Sequence, residues 1–277
     1  MQKGKAAAQP FLAVLRLAAV ILLFIPAVLF GGTQISLYRN TDGGIFPVGG
    51  SIAGAAPTRA EPARAEIAHA EPAHAAQTVD SVMPLVVLDA GHGGEDGGAV
   101  SADGVAEKTL NLSIVLMLGD MLEAAGVPVV YTRTDDNGLY DGAVPGHRKM
   151  ADLKNRLAVW SQYPEALFVS VHMNTFSSAK YRGMQVFYSK NKEESNALAE
   201  IIRATNQAYL QPENTRACKA ADSSIFLLDR CEGTAVLAEC GFLSNPEEAA
   251  LLSDAAYREK VAGVLCASIL NYLYGGA

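Results

Sequence analysis

Hydrophobic and polar positions divide this chain into three regimes. Residues 11–30, FLAVLRLAAVILLFIPAVLF, are apolar apart from Arg16; residues 31–84 are dominated by Gly, Ala, Pro and Thr; from Leu85 onward short apolar runs trade places with amphipathic stretches. In the third regime LVVLDA (85–90) predicts a buried strand, and a glycine-rich turn follows it. Leu110, Ile114, Met117, Leu118, Met121 and Leu122 recur at helical spacing, which predicts a helix over 107–125 ended by Gly126. VPVVYT (127–132) predicts a second strand, residues 145–160 a helix and ALFVSV (166–171) a third strand, while the alternation of GMQVFYS (183–189) suits an edge strand. The stretch from Glu193 to Leu210 is an amphipathic helix, SIFLLD (224–229) and TAVLAEC (234–240) are two more strands, and two helices close the chain, one opened by Pro246 and one over 255–272. Strands alternating with helices imply an α/β fold: a single, mostly parallel twisted sheet of about six strands with helices on both faces. Ligands bind such sheets at the carboxyl ends of the strands.

The first two regimes set this domain apart. An apolar run of that length matches the roughly 20 residues of a bilayer crossing, and Lys3 and Lys5 before it favour a cytoplasmic amino terminus. The A-x-A triplet Ala53-Gly54-Ala55 lies too far beyond Phe30 for ordinary signal cleavage. The expectation is an uncleaved signal anchor at residues 1–31, a single-pass membrane protein with its catalytic domain outside the cytoplasm, or a secreted one if the segment is removed. Residues 32–84 contain the repeat RAEPA-RAEIA-HAEPA-HA, too poor in large apolar residues to pack, which makes them a linker; its His69 and His74 are solvated spacer positions rather than pre-organised ligands. The folded domain then occupies residues 85–277.

Composition narrows the functional classes. With 22 Lys and Arg against 29 Asp and Glu the net charge is -7, which excludes nucleic acid as the natural ligand because phosphate binding needs a concentrated basic surface. The four cysteines, Cys218, Cys231, Cys240 and Cys266, contain no CxxC pair, so a four-thiolate metal knot is excluded. Cys240 and Cys266 lie in apolar runs as buried hydrophobes; Cys218 and Cys231 are free thiols in the simpler reading and a disulfide in the other.

The chemistry sits in VVLDAGHGGEDGG (86–98) and three later positions. His92 follows the first strand, Glu107 lies in the first turn of the next helix, His172 follows ALFVSV, and Glu239 is near the end of TAVLAEC, so all four gather at one sheet edge. Singly each has a plain structural role: Glu107 suits a helix amino terminus, and a histidine after a strand is often only a satisfied polar residue. Jointly, His92, Glu107 and His172 form a His2Glu set of the kind that holds one Zn2+ and leaves a coordination position open. Glu239, desolvated by apolar neighbours, is then a catalytic base with a raised pKa, able to take a proton from water and return it to a departing amine. Asn174 is a weaker candidate for contacting substrate or orienting a ligand, and Asp89 for supporting an imidazole; both also suit turns.

LDAGHGGEDGGAV, the following EKTLNL, SVHMN and AECGFLSNPEEAALL resemble, in order and spacing, the zinc-dependent N-acetylmuramoyl-L-alanine amidases of amidase type 3. The resemblance implies a six-stranded α/β fold and hydrolysis between the lactyl group of muramic acid and the L-alanine of the peptidoglycan stem peptide. By the same resemblance His92, Glu107 and His172 are the zinc ligands and Glu239 the catalytic glutamate. GHRKMADLKNR, RGMQVFYS and the anchored amino terminus are most similar to the germination-specific amidases of spore-formers, which implies spore-cortex peptidoglycan as substrate, muramic-δ-lactam formation with a polysaccharide deacetylase, and an accessory lipoprotein as a further partner. Only 66 residues separate His172 from Glu239, too few for the inhibitory insertion of the regulated cell-division amidases. Vegetative wall turnover or cell separation is the alternative within the same chemistry, and a non-catalytic peptidoglycan-binding protein the alternative outside it.

Overall fold

A computed structural model describes residues 84–275. The expected anchor (1–31) and linker (32–84) fall outside the described residues but for Pro84, and among the described residues no helix is long and apolar enough to cross a membrane. The strands are β1 (Val86–Ala90), β2 (Val129–Tyr131), β3 (Leu167–Asn174), β4 (Gln185–Tyr188), β5 (Lys219–Ala220) and β6 (Ala235–Phe242). The helices are α1 (Glu107–Ala124), α2 (Arg148–Ser161), α3 (Glu194–Tyr209), α4 (Phe226–Arg230), α5 (Pro246–Ser253) and α6 (Ala255–Tyr274).

The six strands form one sheet in the order β2-β1-β3-β6-β4-β5. β1, β2, β3 and β6 run parallel, whereas β4 is antiparallel to β6 and β5 is parallel to β4. The sheet is therefore mixed rather than mostly parallel, because two of its strands run against the other four. β4 is also an interior strand, flanked by β6 and the two-residue β5, and not the edge strand its alternation suggests. SIFLLD is not a strand: its last four residues begin α4. A run of four apolar residues does not distinguish strand from short buried helix by itself, and here Leu227 and Leu228 pack as a helical face.

Strand alternation sends each strand into two cores. Val86, Leu88 and Ala90 of β1, with Val169 and Val171 of β3 and Val236 and Ala238 of β6, pack beneath α1, α3 and α6. Val87, Phe168, Ala235 and Leu237 face the opposite way, against Trp160 of α2 and Leu227 and Leu228 of α4. Cys218 packs against the first core and Cys231 within the second, so they lie on opposite faces of the sheet; all four cysteines are free.

On the second face the apolar lining gives way to a buried polar hub. Asp89 of β1, fully buried, accepts hydrogen bonds from Thr132 Oγ1 (2.7 Å), Ser170 Oγ (2.5 Å) and Arg156 Nη1 (2.7 Å). Arg156, 1% exposed, also contacts Asp152 and donates to the backbone oxygens of Ala90 and His92. Burial alone would raise the Asp89 pKa, but the Arg156 guanidinium and the Ser170 hydroxyl hold it below the usual carboxylate value. Removing one partner of such a pair strands the other in a low-dielectric interior. Arg156→Met is expected to lower unfolding stability by about 3 to 5 kcal/mol, read from the midpoint and slope of a urea unfolding curve; a change below about 1 kcal/mol would show that the hub does not support the fold.

Candidate active site

The backbone leaving β1 is shaped for close approach. Gly91 N–H still bonds to Val171 O (3.1 Å), the last tie to β3 before the chain turns away. His92 then adopts φ 62°, a left-handed conformation uncommon outside glycine. The carbonyls exposed by this turn are satisfied by side chains: Arg133 donates to Ala90 O (2.8 Å) and Gly91 O (3.0 Å), Arg156 to Ala90 O (2.7 Å) and His92 O (2.5 Å), and Asn111 to Gly91 O (3.1 Å). Two glycines leave the necessary room. A Cβ on Gly91 would lie 2.2 Å from the His172 ring, and one on Gly98, itself at φ 66°, would lie 2.5 Å from Glu107 Oε2.

Around this turn the four expected residues come together. His92 Nε2 lies 3.2 Å and His172 Nδ1 2.9 Å from the same Glu107 Oε1, and one ligand atom from each of the three residues lies within 4.8 Å of the others. The imidazole rings meet edge to face at 5.0 Å. Glu239 is the direct register partner of His172 across β3 and β6, with a bulge immediately after the pair. The two side chains therefore project from the same face of adjacent parallel strands.

Glu107 and Glu239 inhabit opposite environments. Glu107, 3% exposed, accepts backbone hydrogen bonds from Ala99 (2.8 Å) and Met173 (3.0 Å) and a side-chain bond from Asn111 (3.3 Å). Burial raises its pKa, but the hydrogen bonds to His172 and His92 outweigh it and hold the carboxyl well below its ordinary value. For His92 burial works downward, and Glu107 and Asp96, the latter 2.9 Å from Nδ1, reverse it and raise the imidazole above its usual value. Glu239 Oε2 is sealed from solvent with no hydrogen-bond partner among the described residues. Burial pushes its carboxyl up to about 7, with His172 opposing and Glu107 reinforcing the shift.

The donor set fits a divalent metal. Two imidazole nitrogens and an ionised carboxylate converge from three separate elements, and the second nitrogen of His92 is held by a carboxylate in the manner of a metal-bound histidine. Two other expectations fare differently. Asp89 does not support an imidazole, because Arg156, Thr132 and Ser170 occupy its oxygens. Asn174 closes β3 and accepts the Leu243 N–H through its backbone oxygen (2.8 Å). Four contributors are not evident from the sequence: Asp96, four residues past His92; Asn111, one helical turn past Glu107; and the guanidiniums Arg133 and Arg156. The spacing of the first two was available as a signal, whereas the last two stand in polar stretches that look like solvent-facing surface.

An α/β domain with a metal-competent His2Glu cluster and a half-buried carboxylate whose inner oxygen has no partner belongs to the class of hydrolases. The family is specific: residues 86–271 match the N-acetylmuramoyl-L-alanine amidase model, and the chain belongs to that family. It is 35% identical over 190 residues to the germination-specific N-acetylmuramoyl-L-alanine amidase of Bacillus subtilis, covering 68% of this chain and 79% of that protein. It is 26% identical to AmiA of Escherichia coli over 69% of this chain and 76% of that one. Among solved structures, the CwlD amidase from Clostridioides difficile in complex with the GerS lipoprotein superimposes with a TM-score of 0.66 at 39% identity, over 69% of this chain and 98% of that one.

The isolated Glu239 carboxylate has a measurable signature in metal-stripped protein. Its folded pKa, about 7, exceeds the ordinary 4.5, so the protonated carboxyl is compatible with the fold below pH 4.5 and that stability is lost as the pH rises through 7. Metal-free Glu239→Gln is therefore expected to match metal-free wild type near pH 4 and to exceed it at pH 8 by on the order of 3 kcal/mol, measured by urea unfolding across that range. A pH-independent difference would mean that Glu239 titrates normally.

Proposed function

We propose that this protein is a zinc-dependent N-acetylmuramoyl-L-alanine amidase that cleaves the lactyl–L-alanine amide of spore-cortex peptidoglycan from the outer side of a membrane. The observation that carries the catalytic part is a pairing: three ligand atoms gathered within 4.8 Å, and beside them a carboxylate oxygen with no partner. His92, Glu107 and His172 would hold the zinc, and Asp96 would orient the His92 ring through Nδ1. Bound there, zinc supplies Lewis acidity toward water and the scissile carbonyl. Glu239, whose Oε2 meets no donor that would stabilise the charge, would take a proton on its carboxylate from the attacking water and deliver it to the departing nitrogen of L-alanine. Its pKa near neutrality suits both halves of that exchange. Asn174, two residues beyond His172 at the end of β3, would contact the substrate.

The cellular setting rests on the sequence and on relatives. The apolar segment at residues 11–30 would anchor the chain and residues 32–84 would tether the catalytic domain. The germination-specific relative supports germination as the setting; cortex maturation, with a deacetylase acting on the same glycan to give muramic-δ-lactam, follows from the sequence resemblance alone. The relative solved with a lipoprotein supports an accessory lipoprotein as partner.

The catalytic assignment is tested by substitution. Glu239→Gln should retain zinc by elemental analysis and release L-alanine amino termini from peptidoglycan at least about 100-fold more slowly, whereas His92→Ala and His172→Ala should lose the metal; undiminished release by Glu239→Gln would remove the glutamate from the mechanism. The setting is tested by mass spectrometry of muropeptides from spores lacking the gene. Muramic-δ-lactam should be absent, and a normal level would favour vegetative turnover.

A further inference from the structure

Off the carboxyl end of β6 lies a second cleft. Its volume is about 630 Å3, and its walls include Lys180, Tyr181, Arg182 and Arg216 as well as Glu213 and Glu248. Glu248 is taken up by the Gly183 and Phe242 amides, which leaves Lys180 and Arg216 as the basic groups set against aromatic rings. The Arg216 guanidinium carbon sits 4.6 Å above the Phe242 ring and 5.9 Å from Tyr181, whose ring stacks on Phe242 at 6.3 Å. Lys180 Nζ lies 5.5 Å from the Tyr181 ring on its own account.

Arg216 is held as a positioned donor rather than a loose surface charge. Its Nε donates to Arg182 O (2.7 Å) and its backbone N–H to Asn214 Oδ1 (3.1 Å), while its terminal nitrogens have no acceptor among the described residues. Arg182, by contrast, is engaged with Glu247 at 3.2 Å. The loop bearing Arg216 is itself fixed: Asn214 Nδ2 donates to Met184 O (2.9 Å), Gln211 Oε1 accepts from Met184 N (2.8 Å), and Gln185 Nε2 donates to Ala217 O (2.7 Å). Gln185 is the register partner of Glu239 on β4. One buried side chain thus connects the strand beside the proposed base to the residue following Arg216.

The spacing relates the two places. Phe242 lies three residues beyond Glu239 on β6 and pairs with Asn174, two residues beyond His172. At about 3.3 Å per residue this is roughly 10 Å along the strand, the reach of two or three residues of an extended peptide. A planar guanidinium with free terminal nitrogens, fixed on an aromatic face, matches a carboxylate in geometry and charge.

We propose that Arg216 recognises a carboxylate on the stem peptide, on the leaving side of the scissile amide, and so sets which peptidoglycan the enzyme accepts. This rests on the amidase reading above. Two carboxylates lie within reach, that of the second stem residue and that of the third, and both present the same chemistry.

The test uses the zinc-loaded protein and muramoyl peptides prepared as free acids, or amidated at the second or the third residue only. Amidating the recognised carboxylate should lower wild-type kcat/KM on the order of 10- to 100-fold, the scale of a charge-assisted hydrogen bond, and the arm that responds identifies which carboxylate is read. Arg216→Gln should lose the same factor on the free acid and nothing further on that amide, so its activity on the amide also reports an intact site. Equal wild-type activity on acid and amides, or an equal loss by Arg216→Gln on all substrates, overturns the proposal. Calorimetric binding to zinc-loaded Glu239→Gln separates this from the catalytic reading: discrimination between acid and amide there, with no hydrolysis by wild type, would retain Arg216 and reject the amidase reading.

Discussion

The site depends on satisfying the backbone where it leaves β1. Three consecutive carbonyls, those of Ala90, Gly91 and His92, turn away from strand partners inside the protein, where an unpaired carbonyl is costly. Arg133 and Arg156 take all three, with Asn111 assisting at Gly91. Arg156 is in turn neutralised by Asp89, on the very strand whose end it caps. The arrangement permits a non-glycine residue at φ 62°, and that residue is His92. Gly91, kept bare, admits the His172 ring, and Gly98 admits Glu107. Without the buried guanidiniums the turn would either unwind or draw water to its carbonyls, and the imidazole would lose its bearing.

Strand direction then decides what surrounds the cluster. Because β1, β3 and β6 run parallel, His92, His172 and Glu239 arrive at one edge. Because β4 runs the other way, its first residue, Gln185, stands beside Glu239, and the segment preceding it, 175–184, lies at that same edge. β5 is parallel to β4, which brings the 210–218 segment there as well. An all-parallel sheet would send both connections to the far side. The reversed strands are thus what bring the second cleft, with Tyr181 and Arg216, to the edge that carries the candidate site.

The legible part of this protein was the part whose chemistry needs particular residue types. His92, Glu107, His172 and Glu239 could be read because imidazoles and carboxylates at strand ends and in apolar runs are conspicuous, and they meet in the fold. Strand direction was not legible in RGMQVFYS, since alternation describes which face a residue takes and not which way the chain runs. SIFLLD was misassigned because a four-residue apolar run satisfies a strand or one helical turn, and its surroundings chose the helix. Arg156 and Arg133 were missed for a related reason: an arginine in a polar stretch reads as solvated, and only the tertiary arrangement reveals that its partners are carbonyls and Asp89. Asp89 is conspicuous at a strand end, but the neighbour the fold supplies is a guanidinium where the sequence suggests an imidazole.

The two glutamates show how one side chain type is divided between two tasks. Glu107 sits among donors: the Ala99 and Met173 amides, Asn111 and two imidazoles all favour its charged form. Glu239, flanked along β6 by Ala238 and Cys240, has an Oε2 that meets no donor. A carboxylate already surrounded by donors is a poor proton acceptor and a good permanent anion, which is what a metal ligand must be. A carboxylate denied donors keeps a pKa near neutrality and can both take and return a proton. Exchanging the environments would spoil both roles while leaving the residue list unchanged. What the fold supplies beyond the four side chains is therefore a difference in solvation between two carboxylates, maintained by the amides of a glycine-rich turn on one side and by a strand interior on the other.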